Sequence, residues 1–139
     1  MSDPLSPAPS SAPPSRAPLP KPEPVGVPTP NTVLLAITNA PDAETAQRIA
    51  RALVEERLAA CVNLLPPCQS VYRWQGAVEE AQEIPLLIKT AQDRFAALQR
   101  RLTELHPYEV PELLSWRPTG GLPAYASWVI QQTRPSRQG

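Results

Sequence analysis

An apolar run opens the patterned part of the chain. Residues 32–38 read Thr-Val-Leu-Leu-Ala-Ile-Thr, and a short continuous run of strand-forming residues predicts a strand that is buried on both faces. Asp42, a residue type that caps helices, follows, and apolar residues then recur at spacings of three and four. They are Ala46, Ile49, Ala50, Leu53, Val54 and Leu58. The pattern predicts a helix that begins near Asp42 and buries one face.

The next segment changes its period and predicts paired strands. Residues 61–65 and 70–74 are strand-forming stretches separated by Pro66-Pro67, which predicts one strand interrupted at a bulge or an edge position. Gln75-Gly76-Ala77 predicts a hairpin turn. Residues 83–90 then return as an apolar strand that pairs with the preceding one.

The last third of the chain predicts a helix, a strand and another helix. A helix follows Asp93 and ends at His106, because a residue before proline is pushed out of the helical region. Its apolar stripe is Phe95, Leu98, Leu102 and Leu105. Residues 112–116 predict a strand, Thr119-Gly120-Gly121 a turn, and residues 122–132 a short final helix. The order βαββαβ plus a helix predicts an α+β protein, a ferredoxin-like sandwich with an extra C-terminal helix.

Composition divides the chain into three parts. Residues 1–30 contain eleven of the twenty prolines and no Phe, Tyr, Trp or Ile. Because proline fixes φ and lacks an amide hydrogen, we expect a disordered proline-rich tail there, either solvated or serving as an interaction arm. Residues 31–133 are expected to form one domain, and residues 134–139 a flexible C-terminus.

Charge and cysteine content restrict the partners and the compartment. Thirteen basic and thirteen acidic residues cancel, so the sequence predicts no nucleic-acid partner. No apolar run approaches the roughly 20 residues that span a bilayer, and we find no secretory signal, so we predict a cytoplasmic protein without a membrane partner. Cys61 and Cys68 are too few for a disulfide scaffold, and we expect free thiols.

Three binding chemistries hosted by this topology lack the residues they need. The strand at 83–90 carries no stacking aromatic residue of the kind that binds RNA. The loop at residues 39–42 has no paired cysteines for a soft metal, and neither Gly76 nor Gly120-Gly121 begins a phosphate-binding loop. These three functions are therefore not expected.

The candidate metal donors have two interpretations each. Cys61 is either a buried small apolar residue or a soft ligand, and His106 is either a cap on the end of its helix or a ligand. The segment from His106 to Glu112 reads His-Pro-Tyr-Glu-Val-Pro-Glu. Its prolines predict a rigid connector, which either holds its side chains ready for a ligand or exposes its glutamates to solvent.

Five short motifs occur in an order that resembles one known family. The motifs are Ala60-Cys61-Val62-Asn63, Tyr72-Arg73-Trp74-Gln75-Gly76, Ile88-Lys89-Thr90, His106-Pro107-Tyr108-x-x-Pro111-Glu112 and Tyr125-x-x-Trp128. Together they cover about residues 32–131 and closely resemble the CutA1, or divalent-cation tolerance, family. The resemblance implies a stable homotrimer of ferredoxin-like subunits, similar in shape to the PII signalling trimers. It also implies an association with copper and other divalent cations, and no catalytic cycle, so the chain is not expected to be an enzyme.

The resemblance implies Cys61 and His106 as metal ligands, to which we add Glu112 as a carboxylate. Some family members carry a further cysteine and a second histidine where this chain has Ile37 and Leu105. Too few ligands remain for a closed site in one subunit, so ligands from several subunits or water would complete it. We expect copper or another divalent cation to bind weakly, and no cofactor to bind tightly.

The alternative function is a PII-like trimeric module that senses a small ligand in a cleft between subunits. Its predicted lining residues are Tyr72, Trp74, Lys89, Tyr108, Tyr125 and Trp128. Lys89 would contact an anionic group of the ligand. The aromatic residues also have a simpler interpretation, since aromatic side chains are common in packed subunit interfaces.

Overall fold

The secondary structure follows the predicted order, except that the segment predicted as one interrupted strand forms two separate strands, Cys61–Leu64 and Cys68–Trp74, since the prolines between them lack the amide hydrogens of a ladder. The computed structural model describes residues 32–135, and that part of the chain contains five strands and three α-helices. They are β1 (Val33–Ala40), α1 (Ala43–Glu55), β2 (Cys61–Leu64), β3 (Cys68–Trp74), β4 (Ala77–Ala91), α2 (Phe95–Leu105), β5 (Leu114–Trp116) and α3 (Pro123–Gln132). The proposed disordered tail, residues 1–30, lies outside the described residues, as do residues 136–139.

β4 organises the sheet. It pairs antiparallel with β1, with β2 and with β3, and β5 pairs antiparallel with the other side of β1. The strand order is β2-β4-β1-β5, so β2 and β5 form the two edges. β3 pairs with the first half of β4 and forms a hairpin that continues past the end of β1. The antiparallel α+β arrangement confirms the predicted fold class.

The helices cover one face of the sheet. Alternate residues of β1 and β4 are buried and share a core with apolar residues of α1 and α2. The largest of these are Ile49, Leu53, Leu86, Ile88, Leu98 and Leu102. The intervening residues of β1 and β4 point to the other face, which we call the open face, and they are only half-buried. Directly opposed residues share a face, so Cys61, Asn63, Leu114 and Trp116 belong to the open face as well.

The predicted boundaries of α1 and α2 are confirmed where a local signal sets them. The backbone N–H of Thr45 donates to the Asp42 carboxylate at 2.7 Å, so Asp42 caps α1. His106 is extended, with φ −82° and ψ 136°, and ends α2 before Pro107. Val54, expected on the buried face of α1, is 40% exposed because it lies at the margin of the helix, towards the edge strand β2.

The hairpin turn is confirmed, but β4 is longer than predicted. Gln75 and Gly76 both have positive φ, 51° and 83°, which matches the twist of the strands they join. β4 begins at Ala77 rather than at residue 83. Residues 77–83 lie beyond the helix layer, where no buried face imposes an apolar pattern that the sequence could reveal.

Three other boundaries differ from the prediction. β5 begins at Leu114 rather than at residue 112, since the Glu112 carbonyl accepts a hydrogen bond from the Thr38 hydroxyl at 2.6 Å instead of joining a strand ladder. α2 begins at Phe95, after a single 3-10 turn, and has no side-chain cap. Asp93 accepts hydrogen bonds from Arg134 at 2.8 and 2.9 Å. Arg134, which the composition assigned to the flexible C-terminus, makes this contact, and the flexibility of residues 134–139 stays a prediction.

Candidate functional site

The connector between α2 and β5, residues 106–113, lies against the end of β1 and the base of the hairpin. Prolines at 107 and 111 exclude helix from it, so its backbone returns towards the sheet. Three of its side chains bond to residues more than twenty positions away: His106, Tyr108 and Glu112. These bonds form the best-defined polar cluster among the described residues, which we call the connector network.

His106 joins the connector to β1. Its side chain is 7% exposed, its Nε2 lies 2.7 Å from the Asn39 carbonyl oxygen, and its Nδ1 accepts a hydrogen bond from the Tyr108 N–H at 3.2 Å. Because Nδ1 accepts, the proton is on Nε2, which donates to Asn39. The expected cap on its own helix is therefore replaced by a bond to β1. A metal ion at His106 would have to displace one of these two hydrogen bonds.

Tyr108 joins the connector to the hairpin. Its hydroxyl donates to Glu83 at 2.8 Å, and the Ser70 hydroxyl donates to the other Glu83 oxygen at 2.6 Å. Burial raises the pKa of Tyr108 to about 12, and the adjacent Glu83 carboxylate adds to that rise. Tyr108 is thus a neutral hydrogen-bond donor at physiological pH, and Glu83 accepts from both sides.

Glu112 closes the network at the surface. Its Oε1 accepts a hydrogen bond from the Asn39 side-chain amide at 3.0 Å, and the residue is exposed. Asn39 thus contacts His106 through its carbonyl and Glu112 through its amide. The predicted ligands His106 and Glu112 are therefore neighbours through Asn39.

Cys61 and Lys89 lie in a second place, on the open face. The two residues are directly opposed in the β2–β4 pair, and the Lys89 ammonium donates to the Asn63 side-chain oxygen. No ion pair joins Lys89 to a carboxylate of residues 32–135. Cys61 is a free, half-buried thiol, which departs from the buried apolar interpretation. The Lys89 ammonium, a cationic hydrogen-bond donor, and the Cys61 thiol thus share an apolar surface of the sheet.

These two places are well separated within one chain. Lys89 and Cys61 are level with Leu35 on β1, whereas His106 binds Asn39, four residues further along, or about 13 Å at 3.3 Å per residue. Across residues 32–135, no group of three or more His, Cys, Asp or Glu side chains is placed to hold a metal ion. One subunit therefore presents metal donors without assembling them.

The remaining predicted ligand-binding residues occupy two further places. Tyr72 and Trp74 follow Ser70 on the same face of β3 and are exposed, with Trp74 at the tip of the hairpin. Tyr125 and Trp128 stack on each other in α3, with ring centroids 5.5 Å apart. Trp128 also lines a surface pocket of about 290 Å³ near the start of β2. Tyr72 is close enough to Tyr108 to contribute to the rise of its pKa, and the cleft between subunits stays a prediction.

Sequence reasoning missed Glu83, Ser70 and Asn39 as members of the network. A signal for the first two was present, because the tight turn at Gln75-Gly76 fixes the hairpin register and sets Cys68 opposite Glu83, with Ser70 next on the same face. No local pattern signals Asn39. Its partners lie 67 and 73 positions away, and only the folded sheet brings them together.

Known proteins give an independent comparison. A family model described as CutA1 divalent ion tolerance protein matches residues 34–132. The divalent-cation tolerance protein CutA of Thermus thermophilus is 46% identical over 99 residues, which is 71% of this chain and 96% of that protein. Protein CutA of mouse is 43% identical over 75% of this chain, which spans only 59% of the mouse protein. The crystal structure of CutA from Xylella fastidiosa matches with a TM-score of 0.72 at 46% identity, over 73% of this chain and 98% of that one.

The hydropathy of the helices bears on the prediction that the protein has no membrane partner. Of the helices between residues 32 and 135, none is long and apolar enough to cross a bilayer.

Proposed function

Since the chain belongs to the CutA1 divalent ion tolerance protein family, we propose that it is a non-catalytic homotrimer that binds a divalent cation, copper in particular. The proposed ligands are Cys61, His106 and Glu112. The observation that carries the proposal is the position of Cys61. Its thiol is free and half-buried on the open face, where a soft metal can reach it from solvent or from between subunits.

The coordination must extend beyond one chain. Cys61 lies about 13 Å along the sheet from the strand position that His106 contacts. Closed metal sites of this donor type use four ligands, so a second subunit or water has to supply the rest. Binding at His106 also displaces one of its two hydrogen bonds. Both features favour weak binding, of a cation that exchanges readily.

Exposed apolar residues support assembly into a homotrimer. On the hairpin Val71 is 62% exposed, Trp74 53% and Val78 64%. On β5 both Leu114 and Trp116 are exposed. Val71 and Val78 share one face of the hairpin and Trp74 lies on the other, and exposed apolar residues grouped in this way favour protein contact.

His106 also bears on the proposed absence of catalysis. It is the only histidine of the chain, and both of its ring nitrogens are engaged, one with the Asn39 carbonyl and one with the Tyr108 N–H. Nucleophilic catalysis by either thiol needs an adjacent base, and an imidazole held in this way does not supply one. We further propose that the protein acts in the cytoplasm, without nucleic-acid or membrane partners.

Calorimetric titration with copper and with zinc tests the metal proposal. Each titration is run on the full chain and on the Cys61→Ser, His106→Gln and Glu112→Gln variants. Cys68→Ser is the matched control, since Cys68 is also a free, half-buried thiol. We expect micromolar binding that falls at least about tenfold in Cys61→Ser, because a soft ligand is lost, and is retained in Cys68→Ser. Equal affinity in the two cysteine variants would contradict the proposed ligand set.

A second candidate function is a PII-like small-ligand sensor, favoured by the preorganised bonds from Ser70 and Tyr108 to Glu83. Its cleft would combine Lys89 of one subunit with aromatic residues of another, and the proposed lining is Tyr72, Trp74, Lys89, Tyr108, Tyr125 and Trp128. Titration with inorganic phosphate and with a nucleoside triphosphate tests it. If Lys89→Ala and the wild type bind these anions equally, the cleft loses its proposed cationic contact.

A further inference from the structure

The two ring nitrogens of His106 differ in what they offer a cation. Nε2 carries the proton and donates to the Asn39 carbonyl oxygen at 2.7 Å, whereas Nδ1 keeps its lone pair and accepts from the Tyr108 N–H at 3.2 Å. A metal ion binds a lone pair, and a ligating histidine almost always donates its other ring N–H to a carboxylate, a backbone carbonyl or water. The bond to Asn39 already supplies that second feature. The geometry therefore favours Nδ1 as the ligating atom, with loss of the bond from the Tyr108 N–H.

Tyr108 makes three contacts that link its backbone position to the hairpin. Its N–H bonds to His106, its ring centroid lies 4.7 Å from that of the imidazole, and its hydroxyl donates to Glu83 at 2.8 Å. Pro107 stands between the two aromatic residues, and its ring fixes one of the backbone rotations that could absorb a shift of the Tyr108 amide. Loss of the N–H bond therefore displaces the side chain of Tyr108 as well as its backbone.

Glu83 receives its two hydrogen bonds from different parts of the chain. Ser70, on the neighbouring strand β3, donates to one carboxylate oxygen at 2.6 Å, and Tyr108, in the connector, donates to the other at 2.8 Å. Of these two bonds, the second joins the hairpin to the connector. Without it Glu83 keeps the bond from Ser70, so the hairpin remains paired but loses a contact with the rest of the subunit.

We propose that cation binding at Nδ1 of His106 releases Tyr108 from Glu83, so that the connector network couples the cation site to the hairpin. The inference rests on the His106 ligand proposed above and adds the regulation of that site. Coupling between two sites is reciprocal, so the bond from Tyr108 to Glu83 lowers cation affinity by the same factor by which the cation weakens that bond. The hairpin, which carries the exposed Trp74, is therefore held less firmly in the cation-loaded form.

Tyr108→Phe tests the coupling, because it removes the hydroxyl and retains the ring. In calorimetric titration of the full chain with zinc alone, the variant should bind about fivefold more tightly than the wild type, since the cation no longer breaks a hydrogen bond to a carboxylate. Tyr72→Phe is the matched control, because Tyr72 lies close to Tyr108 but takes no part in the two bonds to Glu83. Its zinc affinity should equal that of the wild type. Zinc affinity that is unchanged or lower in Tyr108→Phe overturns the coupling.

Hydrogen exchange follows the same coupling from the hairpin. Saturating zinc should speed amide exchange about threefold at the paired residues Ser70 and Ala81 in the wild type, and should leave it unchanged in Tyr108→Phe. His106→Gln separates the two proposals. If this variant binds zinc as tightly as the wild type, His106 is not a ligand, and the coupling falls with it. If its zinc affinity drops but zinc does not alter hairpin exchange in the wild type, the coupling is overturned and the proposed ligand stands.

Discussion

The two halves of β4 lie in different surroundings. From Ile84 onward it runs between β1 and β2 beneath α1 and α2, and every second residue is buried. From Ala77 to Glu83 it pairs only with β3, and no residue is buried. The first region is held by a core of its own chain. In the second region Val71, Trp74 and Val78 are exposed, and nothing among residues 32–135 covers them, which favours contact with another protein surface.

Substitution in the helix-covered region should give the largest effect. Leu53→Ala removes a fully buried side chain from the cluster beneath α1 and should lower the free energy of unfolding by about 3 kcal/mol. Denaturant unfolding measures the loss, which should not depend on protein concentration. A loss below about 1 kcal/mol would mean that this core does not hold the subunit together.

Substitution in the hairpin should give a smaller loss that depends on assembly. Trp74 is 53% exposed in one chain, so Trp74→Ala should change the stability of a separated subunit little. In the assembled protein it should lower stability by about 2 kcal/mol per subunit, because a large apolar side chain loses its burial. Melting temperatures measured across a hundredfold dilution series separate the effect on the subunit itself from the effect on the assembly. An effect of equal size at every concentration would show that the hairpin does not mediate assembly.

Tyr108 joins the two regions, since it reaches from the connector to Glu83 at the base of the hairpin. Tyr108→Phe should cost about 1 kcal/mol, because the partly buried carboxylate loses a donor. The pKa of Tyr108 rises from 10.0 to about 12 on folding. The stability linked to this group is therefore complete below pH 10 and is lost as pH rises towards 12. The variant should lack that part of the alkaline decline, and identical alkaline unfolding profiles would contradict the assignment.

The ion pair between Asp93 and Arg134 should have the smallest effect. The hydrogen bond from Arg134 lowers the pKa of Asp93, so its contribution is present above the ordinary value of 3.8 and is lost as pH falls through the lowered pKa. Asp93→Asn should cost about 0.5 kcal/mol at neutral pH, as expected for a half-exposed pair. The difference between the variant and the wild type in the free energy of unfolding should disappear in acid. A gap that persists in acid would show that the carboxylate charge is not its source.

Sequence predicted the features that neighbouring residues decide. Asp42 caps α1 through Thr45, three positions on, and Pro107 ends α2 by acting on His106. The leucine stripe of α2 and the turn at Gln75-Gly76 are equally local. Each follows from sterics or hydrogen bonding within one turn of chain, and so could be inferred from a single sequence.

The candidate site could not be predicted as well, because its contacts join residues that are distant in sequence. The bond from Tyr108 to Glu83 spans 25 positions, and the bond from His106 to Asn39 spans 67. The motifs assigned Lys89 and Tyr108 to one predicted cleft. Within a subunit, however, Lys89 lies on the open face and Tyr108 in the connector network. Their separation follows from the register of β4, in which Lys89 and Glu83 are six residues apart.

The central claim is that Cys61 binds the cation in an assembly of three copies. X-ray absorption at the zinc edge, on a sample whose mass by light scattering is three times the 15.2 kDa of one chain, tests it directly. We expect a sulfur scatterer at about 2.3 Å from zinc that disappears in Cys61→Ser and remains in Cys68→Ser. A metal-loaded trimer with only nitrogen and oxygen scatterers, or with sulfur that persists in Cys61→Ser, would contradict it.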